Sequence, residues 1–213
     1  KHNAANDAMD SRLWEILAEL HQRQGLRAVV WRGNGKSFSS GRDTSELGVR
    51  TEDISYFDFT ERGHAGTHQF FSLPCPIIAA LKGWVIGGSF ERVLLCDMRI
   101  AGESARMTLP EIRHGVVPAS GGTARLFQMA GHRLVAELAL TGPPTDSNAA
   151  PRLGRVSAGV LSDLGFPQAP RTMDALLPPK PKEFERTVSI DLRDGCITGS
   201  SFKSGSGRRQ PTF

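Results

Sequence analysis

The segment from Lys82 to Pro118 constrains the fold most, because it places a glycine turn and two carboxylates at the ends of short apolar elements. An apolar strand leads into Gly87-Gly88, and a short apolar helix carrying Glu91 is predicted to start directly after this pair. Glu111 follows on a Pro-Glu corner. Backbone N–H groups at a helix N-terminus are unsatisfied and favour negative charge. The segment therefore predicts acid-base chemistry beside an oxyanion site.

The rest of the first 142 residues alternates between strands and helices. After the candidate capping pair Asp10-Ser11, apolar residues recur at helical spacing until Gly25. Buried strands are predicted over residues 26–31, 76–81 and 98–101, and helices over residues 64–73, 89–96, 123–129 and 132–140. Gly131 separates the last two helices. The alternation predicts an α/β fold with crossover connections.

The amino-acid composition is typical of a soluble globular protein. The 213 residues are 39% hydrophobic and 23% charged, which suits one domain with a sizeable core. A net charge of +4 suits a ligand bearing phosphates but does not indicate nucleic acid. The three cysteines, Cys75, Cys96 and Cys196, show no zinc-site spacing and are predicted to be reduced thiols. Without a signal segment or an apolar run near ~18 residues, we expect a cytoplasmic protein that does not contact a membrane.

The character of the chain changes after Thr141-Gly142. Several prolines interrupt the pattern, and the last twenty residues are rich in Gly, Ser and basic residues with little periodicity. We therefore divide the chain into a core domain over residues 1–142 and a divergent C-terminal region over residues 143–213. We expect that region to be poorly ordered or held by contacts with other subunits.

The glycine turns and the two acids together suggest a single site. An oxyanion hole needs two backbone N–H groups. Two turns, Ser40-Gly41-Arg42 and Gly87-Gly88, each follow a predicted strand and could each supply one. Two carboxylates in one pocket could hold a water between them, with one taking a proton and the other giving one. From spacing alone, each turn is more typical of an ordinary loop, and each Glu of a solvated side chain.

Four stretches resemble the enoyl-CoA hydratase/isomerase family, also called the crotonase family. They are SFSSGRDTSEL, PIIAALKGWVIGGSFERVLLCDMRIAGESARMTLPEI, HGVVPASGGTARL and the opening HNAANDAMDSRLWEIL. The resemblance covers residues 1–142 and fades through about residue 165. It implies a crotonase-like α/β spiral of ββα units. The family's N-terminal strands are missing, and its C-terminal helical region, which closes the acyl pocket, is divergent or truncated here.

The resemblance implies how the site contacts an acyl-CoA thioester. The backbone N–H groups of Arg42 and Gly88 fall at the two oxyanion donors, which would polarise the thioester carbonyl and stabilise an enolate. The side chain of Arg42 is then free to meet a CoA phosphate. Other substrate-contacting positions are Gly87 at the glycine turn and, in the loop against the adenine end of CoA, Asp43, Thr44 and Ser45.

The resemblance also assigns the acids. Glu111 falls where hydratases exchange the proton at C2, and Glu91 where they orient the water that adds at C3. Isomerases of the family tend to keep only the acid at the Glu111 position. Two departures stand nearby: Ser89-Phe90, which we expect to narrow the acyl pocket, and Arg92, whose charge could pair with a carboxylate and alter the proton balance.

These implications predict a lyase of fatty acid metabolism that hydrates a 2-enoyl-CoA, assembled as a homotrimer or hexamer. Coenzyme A is part of the substrate, and neither a separate cofactor nor a metal ion is expected. One alternative is another acyl-CoA reaction on the same site, namely double-bond isomerisation or hydrolysis. The other is a non-catalytic acyl-CoA-binding or assembly protein.

Overall fold

The computed structural model describes residues 2–46, 55–142, 145–146, 158–161, 187–193 and 196–201. The helices are α1 (Asp7–Gln22), α2 (Tyr56–Ser72), α3 (Gly88–Leu95) and α4 (Gly122–Thr141). The strands that precede α4 are β1 (Ala28–Gly33), β2 (Ile77–Leu81), β3 (Trp84–Ile86), β4 (Met98–Gly102) and β5 (Arg106–Thr108). The later strands are β6 (Thr145–Asp146), β7 (Ala158–Leu161), β8 (Thr187–Arg193) and β9 (Cys196–Ser201).

Helix α1 begins one turn before the predicted capping pair. The side chain of Asn6 accepts a hydrogen bond from the Met9 N–H at 2.9 Å, so Asn6 is the cap. The prediction of Asp10-Ser11 as the cap is wrong, because Asn6 already satisfies the first free N–H groups. The apolar residues that the spacing placed on one face, Leu13, Ile16, Leu17 and Leu20, are all buried. Asp10 is thereby placed inside the helix.

Six strands form the main sheet, in the order β7-β4-β2-β1-β8-β9. Every neighbouring pair is parallel except β8 and β9. All five residues of β2 are buried, and so are all of β1 except Arg32, as expected for strands covered on both faces. Helices α2 and α3 lie between successive parallel strands in the chain, so the predicted α/β fold with crossovers is confirmed.

A smaller sheet, in the order β3-β5-β6, carries the glycine turn. Strand β3 pairs in parallel with β5 and ends at Ile86, directly before Gly87-Gly88. On its other side, the loop after β1 forms a bridge between Ser39 and Val85. The second sheet therefore brings the loop that contains Arg42 beside the start of α3.

Aromatic side chains fill the space under this turn. Trp31 of β1 and Phe38 of the following loop are buried, with ring centroids 5.3 Å apart in an edge-on arrangement. Phe90 also belongs to this core and is fully buried. We expect from the sequence that Phe90 narrows an acyl pocket. In the structure, its ring is instead buried among apolar core residues.

Helix α4 consists of two helical segments joined by a kink at Gly131. This glycine has φ 77° and ψ 172°, which no helical residue adopts. The two predicted helices on either side of Gly131 are therefore the two halves of α4. The helix ends at Gly142, whose left-handed backbone and N–H bond to the Leu138 carbonyl are typical of a C-terminal cap.

Four strands come from the C-terminal region. Strand β8 lies beside β1 in parallel, from the pair Ala28 and Thr187 onwards, and β9 returns along β8 in antiparallel direction. The sequence analysis assigned no strand here, and these strands extend the sheet formed by the core. The domain boundary at residue 142 and the role of this region in subunit contacts stay predictions.

Two further findings concern the length of the apolar helices and the state of the cysteines. Within the described ranges, no helix is both long and apolar enough to cross a bilayer. Cys75 and Cys96 are free thiols; Cys96 is buried, and burial raises the pKa of the half-buried Cys75 thiol to about 11. These two cysteines are therefore the reduced thiols that the sequence predicted.

Candidate active site

The loop after β1 exposes one backbone donor. The Ala5 N–H donates to the Gly41 carbonyl and the Asp43 N–H to the Ala5 carbonyl, both at 2.7 Å. Because alternate residues of an extended chain face opposite sides, this bridge turns the Arg42 N–H away from Ala5. In the described part of the chain, the Arg42 N–H has no hydrogen-bond acceptor. Among the described residues it is therefore a backbone donor without a partner.

The turn before α3 exposes a second donor. Gly87 has φ 57° and ψ −134°, a conformation open only to glycine, and its N–H bonds to the Thr108 carbonyl at 2.9 Å. The next N–H, of Gly88, belongs to the first turn of α3 and has no intrahelical partner. No acceptor for it is found among the residues that the structure describes. The Arg42 loop adjoins this turn, since a Cβ on Gly41 would lie 2.8 Å from the Ile86 carbonyl oxygen.

Two buried serines join the donor-bearing segments. The Ser39 and Ser89 hydroxyl oxygens lie 2.8 Å apart, and Ser39 also donates to the Asn3 carbonyl at 2.8 Å. The Gly41 N–H donates to the Ser39 hydroxyl at 3.2 Å. Ser89, which the sequence analysis treated only as a departure, thus fixes the first turn of α3 to the Arg42 loop.

Glu91 is held where α3 crosses the start of α4. Its side chain is 1% exposed, and one carboxylate oxygen, Oε2, accepts hydrogen bonds from the N–H groups of Ser120 and Gly122 at 3.0 Å each. A Cβ on Gly122 would lie 2.4 Å from the Glu91 Cα, so only glycine permits this crossing. The Ser120 hydroxyl lies near Gly88, 3.7 Å from where a Cβ would be. The site therefore includes the turn 120–122, to which the sequence analysis gave no role.

The environment of Glu91 opposes its ionisation. Burial raises the pKa of Glu91 to about 7, against the two backbone N–H groups, which favour the charged form. The charge of Glu111 raises this pKa further, and that of Arg92 lowers it. A carboxyl group with a pKa near neutrality can both take and give a proton at physiological pH.

Glu111 lies on the other side of the glycine turn. It begins a short 3-10 turn, Glu111–His114, after Pro110. Its Oε1 is 2.8 Å from where a Cβ on Gly87 would be, so the absence of that Cβ admits the carboxylate. Its Oε2 is buried and has no hydrogen-bond partner among the described residues. Burial raises the pKa of Glu111, while its own backbone N–H and the His114 charge lower it.

The structure thus brings together four of the predicted site residues, namely Arg42, Gly88, Glu91 and Glu111. Glu111 lies over Gly87, and the turn that holds Glu91 reaches Gly88 through Ser120. The two carboxyl groups are close enough for the charge of Glu111 to affect Glu91. Unpartnered backbone donors beside two acids with raised pKa values are an arrangement that could support proton transfer next to a developing oxyanion.

The Arg42 side chain does not have the free position expected from the sequence. Its guanidinium pairs with Asp7, and Nη1 lies 3.5 Å from Asp10 Oδ2. The other terminal nitrogen of Arg42, Nη2, lies 3.9 Å from Glu46 Oε2. Three carboxylates therefore surround this guanidinium, so the expectation that the side chain is free is wrong, while its contact with a CoA phosphate stays a prediction.

Asp43, Thr44 and Ser45 lie at the surface beyond Arg42. Asp43 Oδ1 accepts hydrogen bonds from the Ser45 N–H at 3.1 Å and from its hydroxyl at 2.7 Å. This arrangement starts the short 3-10 turn Thr44–Glu46, in which Thr44 and Ser45 are exposed. Their predicted contact with the adenine end of CoA stays a prediction.

Arg92 pairs with a carboxylate, as its position suggested. The partner is Asp10 of α1, whose two oxygens lie 2.6 and 2.8 Å from Nη1 and Nη2. The guanidinium also stands 5.1 Å from the centroid of the Trp14 ring. Over the ranges that the structure describes, no group of three His, Cys, Asp or Glu side chains has the arrangement of a metal site.

Comparison with known proteins gives one family. The profile of the enoyl-CoA hydratase/isomerase family matches residues 1–168. A probable enoyl-CoA hydratase of Bacillus subtilis is 35% identical over 166 residues, which are 76% of this chain and 64% of that protein. The mouse protein named enoyl-CoA hydratase domain-containing protein 2, mitochondrial, is 31% identical over 205 residues, 91% of this chain and 69% of its own length.

Solved structures agree with the sequence relatives. The crystal structure of enoyl-CoA hydratase from Thermoplasma volcanium superposes with a TM-score of 0.74 at 29% identity, over 83% of this chain and 69% of that one. The crotonase-like fold predicted from the sequence is thereby confirmed. The chain spans 64% of the length of the Bacillus subtilis relative.

Proposed function

Because the chain belongs to the enoyl-CoA hydratase/isomerase family, we propose that it adds water across the C2–C3 double bond of a 2-enoyl-CoA thioester. The observation that carries this proposal is the pair Glu91 and Glu111, both with raised pKa values, beside the free N–H groups of Arg42 and Gly88. One acid would suffice to move a double bond. Two acids provide for both the water and the proton of a hydration.

The backbone donors would receive the thioester oxygen. As water adds at C3, electron density moves through C2 to this oxygen, giving an enolate. The N–H groups of Arg42 and Gly88 would stabilise that charge, and both are held in place before the substrate arrives, Arg42 by the Ala5 bridge and Gly88 by the start of α3. Removing one such donor typically costs ~100-fold or more in rate.

The acids would divide the proton transfers. Glu91 would take a proton from the water as its oxygen bonds to C3, and Glu111 would give a proton to C2 of the enolate. Glu91 is fixed by two N–H groups, which suits holding a water, and the unpartnered Oε2 of Glu111 suits delivering a proton. The working form of the pair carries one proton, and its pKa values belong to the pair rather than to either acid.

An assay of crotonyl-CoA hydration tests this proposal. The reaction is monitored through the loss of absorbance of the conjugated thioester. We expect Glu91→Gln and Glu111→Gln each to lower kcat by at least ~100-fold. The matched control is Glu137→Gln, the same change at an exposed position of α4, which we expect to leave kcat unchanged. Full activity in either site variant would refute the assignment.

The same assay separates the alternatives. Double-bond migration in a 3-enoyl-CoA that survives Glu91→Gln would indicate an isomerase that uses Glu111 alone. The unpartnered oxygen of Glu111 is the observation that favours this second candidate. A parent protein that binds CoA thioesters but converts none would instead be a binding or assembly protein.

The oligomeric state and the cellular compartment of this protein are proposals that rest on its family membership. We expect a homotrimer or hexamer, which sedimentation at several protein concentrations would measure. The cytoplasmic location predicted from the sequence stays a prediction, since the mouse relative is named as mitochondrial.

A further inference from the structure

A buried cation stands next to the more deeply buried acid. Arg92 follows Glu91 in α3, and its side chain is 15% exposed. The resemblance places an apolar residue at this position in the family. A cation in a buried setting favours the charged form of a neighbouring carboxyl group. An unbalanced Arg92 would therefore stabilise the ionised form of Glu91 and make it a weaker base.

Asp10 balances this cation. Both of its oxygens accept from Arg92, at 2.6 and 2.8 Å, across 82 positions of the chain. Successive side chains of a helix point about 100° apart. Arg92 accordingly leaves α3 toward Asp10 and Trp14 of α1, while Glu91 reaches the start of α4. A bidentate pair of this kind is strong and fixes the direction of both side chains.

The same carboxylate reaches the loop of the first oxyanion donor. Asp10 Oδ2 lies 3.5 Å from Arg42 Nη1, and Asp7, one turn earlier, completes the shell around that guanidinium. One face of α1 thus contacts the residue whose N–H is the first donor and the residue next to Glu91. No other described segment contacts both arginines through a carboxylate.

We propose that Asp10 is a positioning residue of this site, which neutralises Arg92 and anchors both α3 and the Arg42 loop to α1, so that Glu91 stays a strong enough base to take a proton from the water. The proposal rests on the proposed function for its kinetic consequence, but its electrostatic consequence is independent of activity. The groups that act on Glu91 are Arg92 on its own helix, Glu111 on the 3-10 turn, and the N–H groups at the start of α4.

The two halves of the pair have opposite effects on Glu91. Asp10→Asn leaves Arg92 uncompensated, so the pKa of Glu91 falls below its value of about 7. Arg92→Met removes the cation, so this pKa rises. General loosening of the structure would move both variants in the same direction. The opposite order is therefore specific to the proposal.

Carbon-13 NMR titration of glutamate carboxyl groups measures this directly. The Glu91 signal is the one missing from Glu91→Gln. We expect its midpoint to lie near 7 in the parent, lower in Asp10→Asn and higher in Arg92→Met. Asp10→Glu, which restores the charge, should return the midpoint toward the parent value. Glu15→Gln is the matched control, since it removes a charge from the exposed face of α1 and should leave the midpoint unchanged.

Kinetics test the positioning role separately. With crotonyl-CoA, we expect Asp10→Asn to lower kcat by ~10-fold with little change in KM, because a displaced acid or donor affects the transition state most. An unchanged kcat, or equal midpoints in the parent and Asp10→Asn, would overturn the proposal. If Asp10→Asn does not fold, the midpoint of Arg92→Met decides, and a fall or no change refutes the role. A parent that hydrates nothing refutes the proposed function and leaves the titration to judge Asp10.

Discussion

At the crossing of α3 and α4, Glu91 is almost fully buried and one of its oxygens accepts two backbone hydrogen bonds. At the turn after β5, Glu111 is half-buried and one of its oxygens has no partner in the described part of the chain. The first acid is fixed by backbone N–H groups, and the second has an oxygen without a partner among the described residues. The surroundings also differ, since the residues after Glu111 include the exposed side chains Ile112, Val116 and Val117.

This comparison indicates how one site can give two carboxyl groups different tasks. Burial raises the pKa of both, but Glu91 is held by two N–H groups of another segment, whereas the backbone group that acts on Glu111 is its own N–H. A fixed acid suits the orientation of a water, and an acid with an unused oxygen suits delivery of a proton to carbon. The difference comes from two glycines, Gly122 under Glu91 and Gly87 under Glu111.

The largest expected effect is on catalysis, from Gly87→Ala. A Cβ there would meet Glu111 Oε1 at 2.8 Å, and the positive φ would be strained. We expect kcat for crotonyl-CoA hydration to fall by at least ~100-fold, because Glu111 and the Gly88 donor both shift. Gly35→Ala is the control, with φ +72° and nothing within 4 Å, and should keep its kcat. Equal activity in the two variants would show that the missing Cβ of Gly87 is not needed to position Glu111.

The next effect is on stability at the Glu91 crossing. In Gly122→Ala the new Cβ would lie 2.4 to 2.7 Å from three atoms of Glu91, so the helices must separate. Urea unfolding should show a loss of ~2–3 kcal/mol in the free energy of unfolding. The same change at Gly63 of α2, where nothing lies within 4 Å, should stabilise by ~0.5–1 kcal/mol. A stable Gly122→Ala protein would mean that the crossing is looser than described.

The acids should also differ in how they couple stability to pH. The pKa of Glu91 is about 7 in the folded state, whereas a Glu in an unfolded chain has its ordinary pKa near 4.5. The folded state therefore holds an extra proton between these values, and the stability that this proton gives is complete below pH 4.5 and lost as pH rises to about 7. Glu91→Gln should flatten this decline, gaining up to about 3 kcal/mol relative to the parent at pH 8.

Urea unfolding at a series of pH values measures the decline. Glu111→Gln should flatten it less, because Glu111 is less buried than Glu91. Equal slopes in Glu91→Gln and the parent would show that burial does not hold the proton on Glu91.

The smallest effect is expected in the exposed segment after Glu111. Val117 is 76% exposed, so Val117→Thr should change the free energy of unfolding by no more than ~0.5 kcal/mol. Val93 of α3 has no exposed surface, and Val93→Thr should cost ~1–3 kcal/mol by burying a hydroxyl group. Similar costs at both positions would mean that Val117 is covered in solution, for example by another subunit.

Local features of this fold follow from local sequence. The glycine turn, the helix that carries Glu91 and the strands on either side are placed within one or two residues of the prediction. Apolar periodicity and glycine positions act over a few residues, so a linear reading captures them. The Asn6 cap was missed because Asp10-Ser11 offers the same chemistry one turn later.

Contacts between distant segments were not predictable in this way. The N–H groups that hold Glu91 lie 29 and 31 positions away, and the partner of Arg92 lies 82 positions away. Hairpin β8–β9 had a local signal that was overlooked. Val188, Ile190 and Leu192 alternate with polar residues, and Asp194-Gly195 is a dipeptide typical of tight hairpins.

The pairing of β1 with β8 has a consequence for synthesis of the protein. It joins residue 28 to residue 187, so the central strand gains its second neighbour only after residue 187 and the strand that follows it have left the ribosome. Contacts between such distant segments form slowly, whereas a hairpin between adjacent strands closes quickly. Until the hairpin docks, β1 presents an apolar edge with unpaired backbone groups. A chaperone that shields this edge during translation would raise the yield of folded protein.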